Sequence, residues 1–79
     1  MDTTRSFKVL LEWDSDASSW VTTVPALGGL STFGVSRDEA IAHTRDAILG
    51  YLEALRVEGL AVPAGDDSTE LVEVTVAVG

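Results

Sequence analysis

Ser36-Arg37-Asp38-Glu39-Ala40-Ile41-Ala42-His43-Thr44-Arg45-Asp46-Ala47-Ile48-Leu49-Gly50-Tyr51-Leu52-Glu53-Ala54-Leu55-Arg56-Val57-Glu58-Gly59 is the stretch on which the fold turns. Ile41, Thr44, Ile48, Tyr51, Leu52 and Leu55 recur at three- and four-residue steps, the spacing of one helical face. Ser36 followed by Glu39 has capping-box spacing, in which each side chain satisfies an orphan backbone N–H. Asp38 and Glu39 sit at the positive end of the helix dipole. Gly59 suits the position after the last turn, and Leu60 then folds back toward Leu55 in a Schellman ending. The spacing predicts a helix over residues 36–58.

Strands flank this helix. Residues 6–13 alternate, with Phe7, Val9, Leu11 and Trp13 on one face. Leu10 adds an apolar residue to the other face, as in a central strand covered on both sides. Asp14-Ser15-Asp16-Ala17-Ser18 is a turn of residues that bond their own backbone. Residues 19–24 follow as the second arm of an antiparallel hairpin. Pro25 ends that arm, and Leu27-Gly28-Gly29 turns the chain into a third strand, Leu30 to Val35, expected at an edge. A loop with Pro63, Gly65, Asp66 and Asp67 leads to residues 70–78, Glu-Leu-Val-Glu-Val-Thr-Val-Ala-Val. There Val72, Val74, Val76 and Val78 share one face, and Leu71, Glu73, Thr75 and Ala77 the other. The order β-β-β-α-β describes a two-layer α+β domain, a four-stranded sheet with one helix on one face.

The chain has 79 residues with 13 acidic and 5 basic side chains, a net charge of −8. A chain of that length holds one core, so residues 1–79 form a single domain. Direct nucleic-acid binding is disfavoured, because phosphate is held mainly by Lys and Arg. With no Cys, disulfides, thiol nucleophiles and thiolate metal sites are excluded. No apolar run reaches the ~18 residues of a membrane span, and Met1 to Arg5 lead into no signal-peptide core. A cytoplasmic protein is the default.

Catalytic constellations are missing from the pattern. His43 is the only His and reads as a surface residue of the helix. Gly29-Leu30-Ser31-Thr32-Phe33 places no Gly where a nucleophile elbow needs it, and Gly28-Gly29 opens no helix for phosphate. Asp14 and Asp16 fail the calcium-loop pattern, since Ser19 and Pro25 stand where Gly and Glu belong. Metal-assisted hydrolysis would require Asp14, Asp16, Asp66, Asp67 and Glu70 to converge in space. The residues thus imply no cofactor, no metal and no enzyme.

Leu11-Glu12-Trp13-Asp14, then Asp16, then Trp20-Val21-Thr22-Thr23-Val24-Pro25-Ala26-Leu27-Gly28-Gly29 resembles the HicB-like antitoxin family. Gly34, Ser36, Glu39-Ala40, Ala47-Ile48 and Tyr51-Leu52-Glu53-Ala54-Leu55 extend the resemblance, which spans about residues 7–63. The family usually has Pro-Gly-Cys where this chain has Gly28-Gly29-Leu30, and Asp where it has Val35. The resemblance implies a partial ribonuclease-H-like β-β-β-α-β domain without the catalytic carboxylates. It also implies a binding partner, a small basic HicA-like toxin that cleaves mRNA and is neutralised when its active surface is covered. Longer family members add a DNA-binding domain, for which no room is expected after Gly79.

An acidic protein suits a basic partner, because charge complementarity speeds encounter and selects partners. Glu12, Trp13, Asp14, Asp16 and Trp20 are the expected partner-binding residues, the carboxylates steering and the two Trp anchoring. The competing role for both Trp is core, since they lie on strands. Self-association into a homo-oligomer is also expected. His43, Ala47, Gly50 and Ala54 recur at spacings of four, three and four, a narrow stripe of small side chains beside the core face. Gly50 costs a helix interior about 1 kcal/mol relative to Ala, and a close-approaching second copy would explain its presence. A metal-dependent nuclease or phosphoesterase, and an orphan oligomeric regulator without a toxin, are the alternative functions.

Overall fold

The computed structural model describes residues 4–65 and 69–79. It is an α+β structure in which a three-stranded antiparallel sheet carries one helix on one face. The strands are β1 (Leu10–Asp14), β2 (Ser19–Val24) and β3 (Leu30–Gly34), in the order β1-β2-β3, and the helix is α1 (Arg37–Val57). Leu10 faces Thr23 and Trp13 faces Trp20 across the hairpin, while Trp20 faces Gly34 and Val24 faces Leu30 across the second pairing.

β1 begins at Leu10 rather than at residue 6. The reason lies in its neighbour. β2 stops at Val24, where Pro25 opens a short 3-10 turn ending at Leu27, so β2 offers residues 6–9 no continuation of the hairpin ladder. Gly28 and Gly29, at φ +68° and +81°, reverse the chain in the left-handed region that other side chains resist. The Gly29 N–H closes the turn onto the Val24 carbonyl at 3.2 Å.

Both ends of α1 are satisfied. The Ser36 hydroxyl accepts from the Glu39 N–H at 3.1 Å, and the Glu39 carboxylate accepts from the Val35 N–H at 3.2 Å. The box thus reaches one residue further back than its usual form. At the other end the Leu60 N–H bonds the Leu55 carbonyl at 2.9 Å and the Gly59 N–H bonds that of Arg56 at 3.1 Å, the Schellman pair.

The core between the layers is small and partly polar. Val24, Leu27 and Ala40 are its buried apolar residues, and Thr22 and Thr44 are buried with them. Thr22, Thr32 and Thr44 bring their hydroxyls into a triangle with sides of 2.8, 2.7 and 2.5 Å, one vertex from each of β2, β3 and α1. The Thr44 hydroxyl also reaches the Ala40 carbonyl at 2.7 Å. Buried hydroxyls cost free energy unless bonded, and here each one satisfies another, which fixes the helix in register on the sheet. Beside them a Cβ on Gly34 would lie 2.5 Å from the Ala40 nitrogen. Gly34 is therefore where the first turn of α1 meets the sheet backbone.

Two expectations are corrected. β1 is an edge strand of this sheet and β2 is its centre. The expected fourth strand over residues 70–78 is not shown: these residues have no regular secondary structure, and Leu71, Val72, Val74, Val76 and Val78 are 67% to 88% exposed. A period-two pattern selects the two faces of a strand, but only hydrogen bonds to a neighbouring backbone make it one.

Candidate functional site: the β1–β2 hairpin and the open sheet face

The hairpin tip is set by Asp14. One of its carboxylate oxygens accepts from the Asp16 N–H at 3.0 Å and from the Ala17 N–H at 3.3 Å. Asp14 is thus a turn-former whose charge still faces solvent, and Asp16 projects beside it, exposed. Trp13 and Trp20 face each other across the strands in an edge-to-face pair, centroids 5.5 Å apart and planes at 65°. Such a pair adds about 0.5–1.5 kcal/mol beyond its area. Trp20 is half-buried, whereas Trp13 is 51% exposed. Trp13 therefore serves the hairpin and still presents apolar surface outward.

Alternation places Glu12 on the opposite face from the Trp pair. Glu12 sits across from Val21, which sits across from Phe33. Glu12, Trp13, Asp14, Ser15 and Val21 line a shallow, open depression. The five expected partner-binding residues thus gather at one end of the molecule but on two faces.

Among the described residues no layer covers the sheet face that carries Glu12. Leu10, Phe33 and Val35 are exposed there, Phe33 at 66%. Sequence reasoning did not nominate this face. Its signal was the alternation of Ser31, Phe33 and Val35 opposite Leu30, Thr32 and Gly34. An apolar patch bordered by carboxylates is the composition of an interaction surface.

The small-residue stripe of α1 lies on the exposed flank toward β3. His43 Nδ1 donates to the Phe33 carbonyl at 2.7 Å, a bond that ties α1 to the edge of the sheet. A Cβ on Gly50 would meet nothing within 4 Å, so no contact among the described residues explains the glycine. Ala47 is half-buried and Ala54 exposed.

On the other flank α1 overhangs a hollow of about 800 Å³. Phe7, Val9, Ile41, Ile48, Leu49 and Leu52 supply its apolar wall, with Arg5, Arg45 and Arg56 around them. Arg56 is paired with Glu53 at 2.5 Å. Its guanidinium hydrogen bonds, and then its charge, hold the Glu53 carboxyl below the usual carboxylate range.

Among the described residues no group of three His, Cys, Asp or Glu is placed to hold a metal ion. Asp66 and Asp67, which the hydrolytic alternative requires, lie outside the described residues. Among the described residues no helix is long and apolar enough to cross a membrane.

A UPF0150 protein of Thermoplasma acidophilum is 34% identical to this chain over 65 residues, 82% of this chain and 91% of that protein. The chain belongs to the UPF0150 family. No family model matches this UPF0150 chain, and no solved structure matches it.

Proposed function

We propose that this UPF0150 protein is a HicB-like antitoxin that covers and neutralises a small basic HicA-like toxin, an mRNA-cleaving protein. The observation that carries the reading is kinship over most of the chain with a UPF0150 protein, UPF0150 being HicB-like, together with the residue pattern from Leu11 to Leu55. The hairpin supports it. Exposed Glu12, Asp14 and Asp16 border the apolar face of Leu10 and Phe33, and Trp13 stands exposed on the other face of the same hairpin, a combination of steering charge and anchoring area. Its partner recognises protein surface, and the chain itself works by binding, without cofactor, metal or catalysis, in the cytoplasm. The partial ribonuclease-H-like topology belongs to the same proposal, with residues 70–78 as its fourth strand. So does self-assembly, for which the flank of His43, Ala47, Gly50 and Ala54 is one candidate contact.

The test is binding to a HicA-type protein encoded beside this chain. Affinity should fall about tenfold or more as salt rises from tens to hundreds of millimolar. Glu12→Lys with Asp16→Lys should slow association more than it speeds dissociation. A salt-insensitive complex would remove the electrostatic part of the proposal. Failure to bind or neutralise any such toxin would leave the orphan regulator. Metal-dependent cleavage of RNA by the purified chain, lost in Asp16→Ala, would replace binding with catalysis.

A further inference from the structure

The open sheet face is divided by chemistry. Thr22, Thr32 and Gly34 meet α1, so alternation sends Leu10, Glu12, Val21, Thr23, Ser31 and Phe33 to the other side. One row crosses the sheet from Glu12 through Val21 to Phe33. Its ends are two strand spacings apart, about 10 Å. Charge therefore stands on β1, where Glu12 and Asp14 are exposed. Apolar area stands on β3, where Phe33 is 66% exposed, and just beyond it at Val35, 73% exposed. Glu39 sets a carboxylate beside Val35 on the far side. The three strands contain no Lys, Arg or His, and Lys8 and Arg37, the nearest bases in the chain, lie outside them.

The β3 edge beside this face is closed. Alternate residues of an edge strand turn their backbone groups outward. On β3 the outward Phe33 carbonyl accepts from His43 Nδ1 at 2.7 Å, and the Val35 N–H donates to the Glu39 carboxylate at 3.2 Å. Two side chains of α1 thus occupy backbone groups that an added strand would need. A partner meets this region through the side chains of the face. Val21 and Thr23 are half-buried there, so Leu10, Phe33 and Val35 are its reachable apolar anchors.

Charge selects the occupant. A second copy would bring a net charge of −8 toward the same carboxylates, and residues 70–78 carry Glu70 and Glu73 and no base. Both meet repulsion at Glu12 and Asp14. Trp13, the other exposed aromatic of the hairpin, pairs with Trp20 on the α1 side. We infer that the open sheet face is the seat of the basic toxin, whose Lys and Arg side chains meet Glu12 and Asp14 on β1 while an apolar patch about 10 Å away covers Phe33 and Val35. The inference rests on the antitoxin reading and deepens it. It makes Phe33 the anchor and leaves the Trp pair to the hairpin.

Binding kinetics with the HicA-type protein encoded beside this chain test it, with loss of RNA cleavage by that protein as the second readout. Phe33→Ser should weaken binding about tenfold or more, mainly through faster dissociation. Glu12→Gln should slow association and flatten its salt dependence. Val57→Ser, at a residue 72% exposed on the last turn of α1, should bind as the wild type does. These variants alter side chains exposed in the free chain, so the helical circular dichroism should persist. Neutralising wild-type binding that Phe33→Ser and Val35→Ser each change by less than about twofold would overturn the face and leave the antitoxin reading standing. So would a loss in Trp13→Ala without one in Phe33→Ser, which puts the contact on the α1 side. A wild type of doubled mass that Phe33→Ser halves would give the face to a second copy and overturn the inference. A wild type that neither binds nor neutralises the toxin would sink the antitoxin reading itself, and the face assignment with it.

Discussion

Residues 10–60 and residues 70–79 carry apolar patterns of similar regularity. In the first region each strand has a neighbour, the helix has both ends capped, and even the buried hydroxyls of Thr22, Thr32 and Thr44 bond one another. In the second, alternate Val residues stand exposed with no sheet beside them. The difference is not one of propensity, since Val-rich alternation favours strands in both places. It is one of closure. A helix satisfies its own backbone, and a hairpin brings its own partner within a few residues. A terminal strand needs an edge that some other part of the assembly must present.

Substitutions separate the two regions by size of effect. Gly34→Ala should be the most damaging. Its Cβ would sit on the backbone of Ala40, and overpacking against backbone that cannot rotate away should cost about 3 kcal/mol or more. A denaturant titration would show it as a large drop in midpoint. Thr44→Val comes next. It leaves Thr22 and Thr32 short of a partner where Thr22 is fully buried, a loss of about 1–3 kcal/mol. The triple change of Thr22, Thr32 and Thr44 to Val should cost less than the sum of the three singles, because no hydroxyl is then left unpaired. Additive losses would show that the triangle is not a cooperative unit.

Ser36→Ala should cost about 1 kcal/mol through the lost cap, read as a fall in melting temperature. Smallest of all, Val74→Asp with Val76→Asp should change the stability of the isolated copy by less than about 0.5 kcal/mol. Both side chains are already in water there. A large loss from this pair in a dilute sample would mean that the segment packs on its own chain, and the contrast between the regions would vanish.

What was legible in the sequence follows the same division. Helix α1 and its caps could be read from Ser36, Glu39 and Gly59, because capping and periodicity are local. The hairpin could be read from Asp14 to Ser18 for the same reason. The start of β1 at Leu10 was not legible in its own residues, since Phe7 and Val9 alternate just as well. It was decided by Pro25 on the neighbouring strand. Nor was the polar core: Thr22 and Thr32 look like ordinary strand residues, and Thr44 one helical residue among several, until the fold brings them together. At the candidate site, the charges and Trp13 were visible as exposed turn and strand residues. The open face of Leu10 and Phe33 was not, because alternation names two faces without saying which one the helix covers.

Hydrogen exchange at the amides of residues 70–78, followed as a function of protein concentration, tests the contrast most directly. The account predicts fast exchange at residues 70–78 at every concentration, while β2 and α1 stay protected. Protection of residues 70–78 matching that of β2 would contradict it.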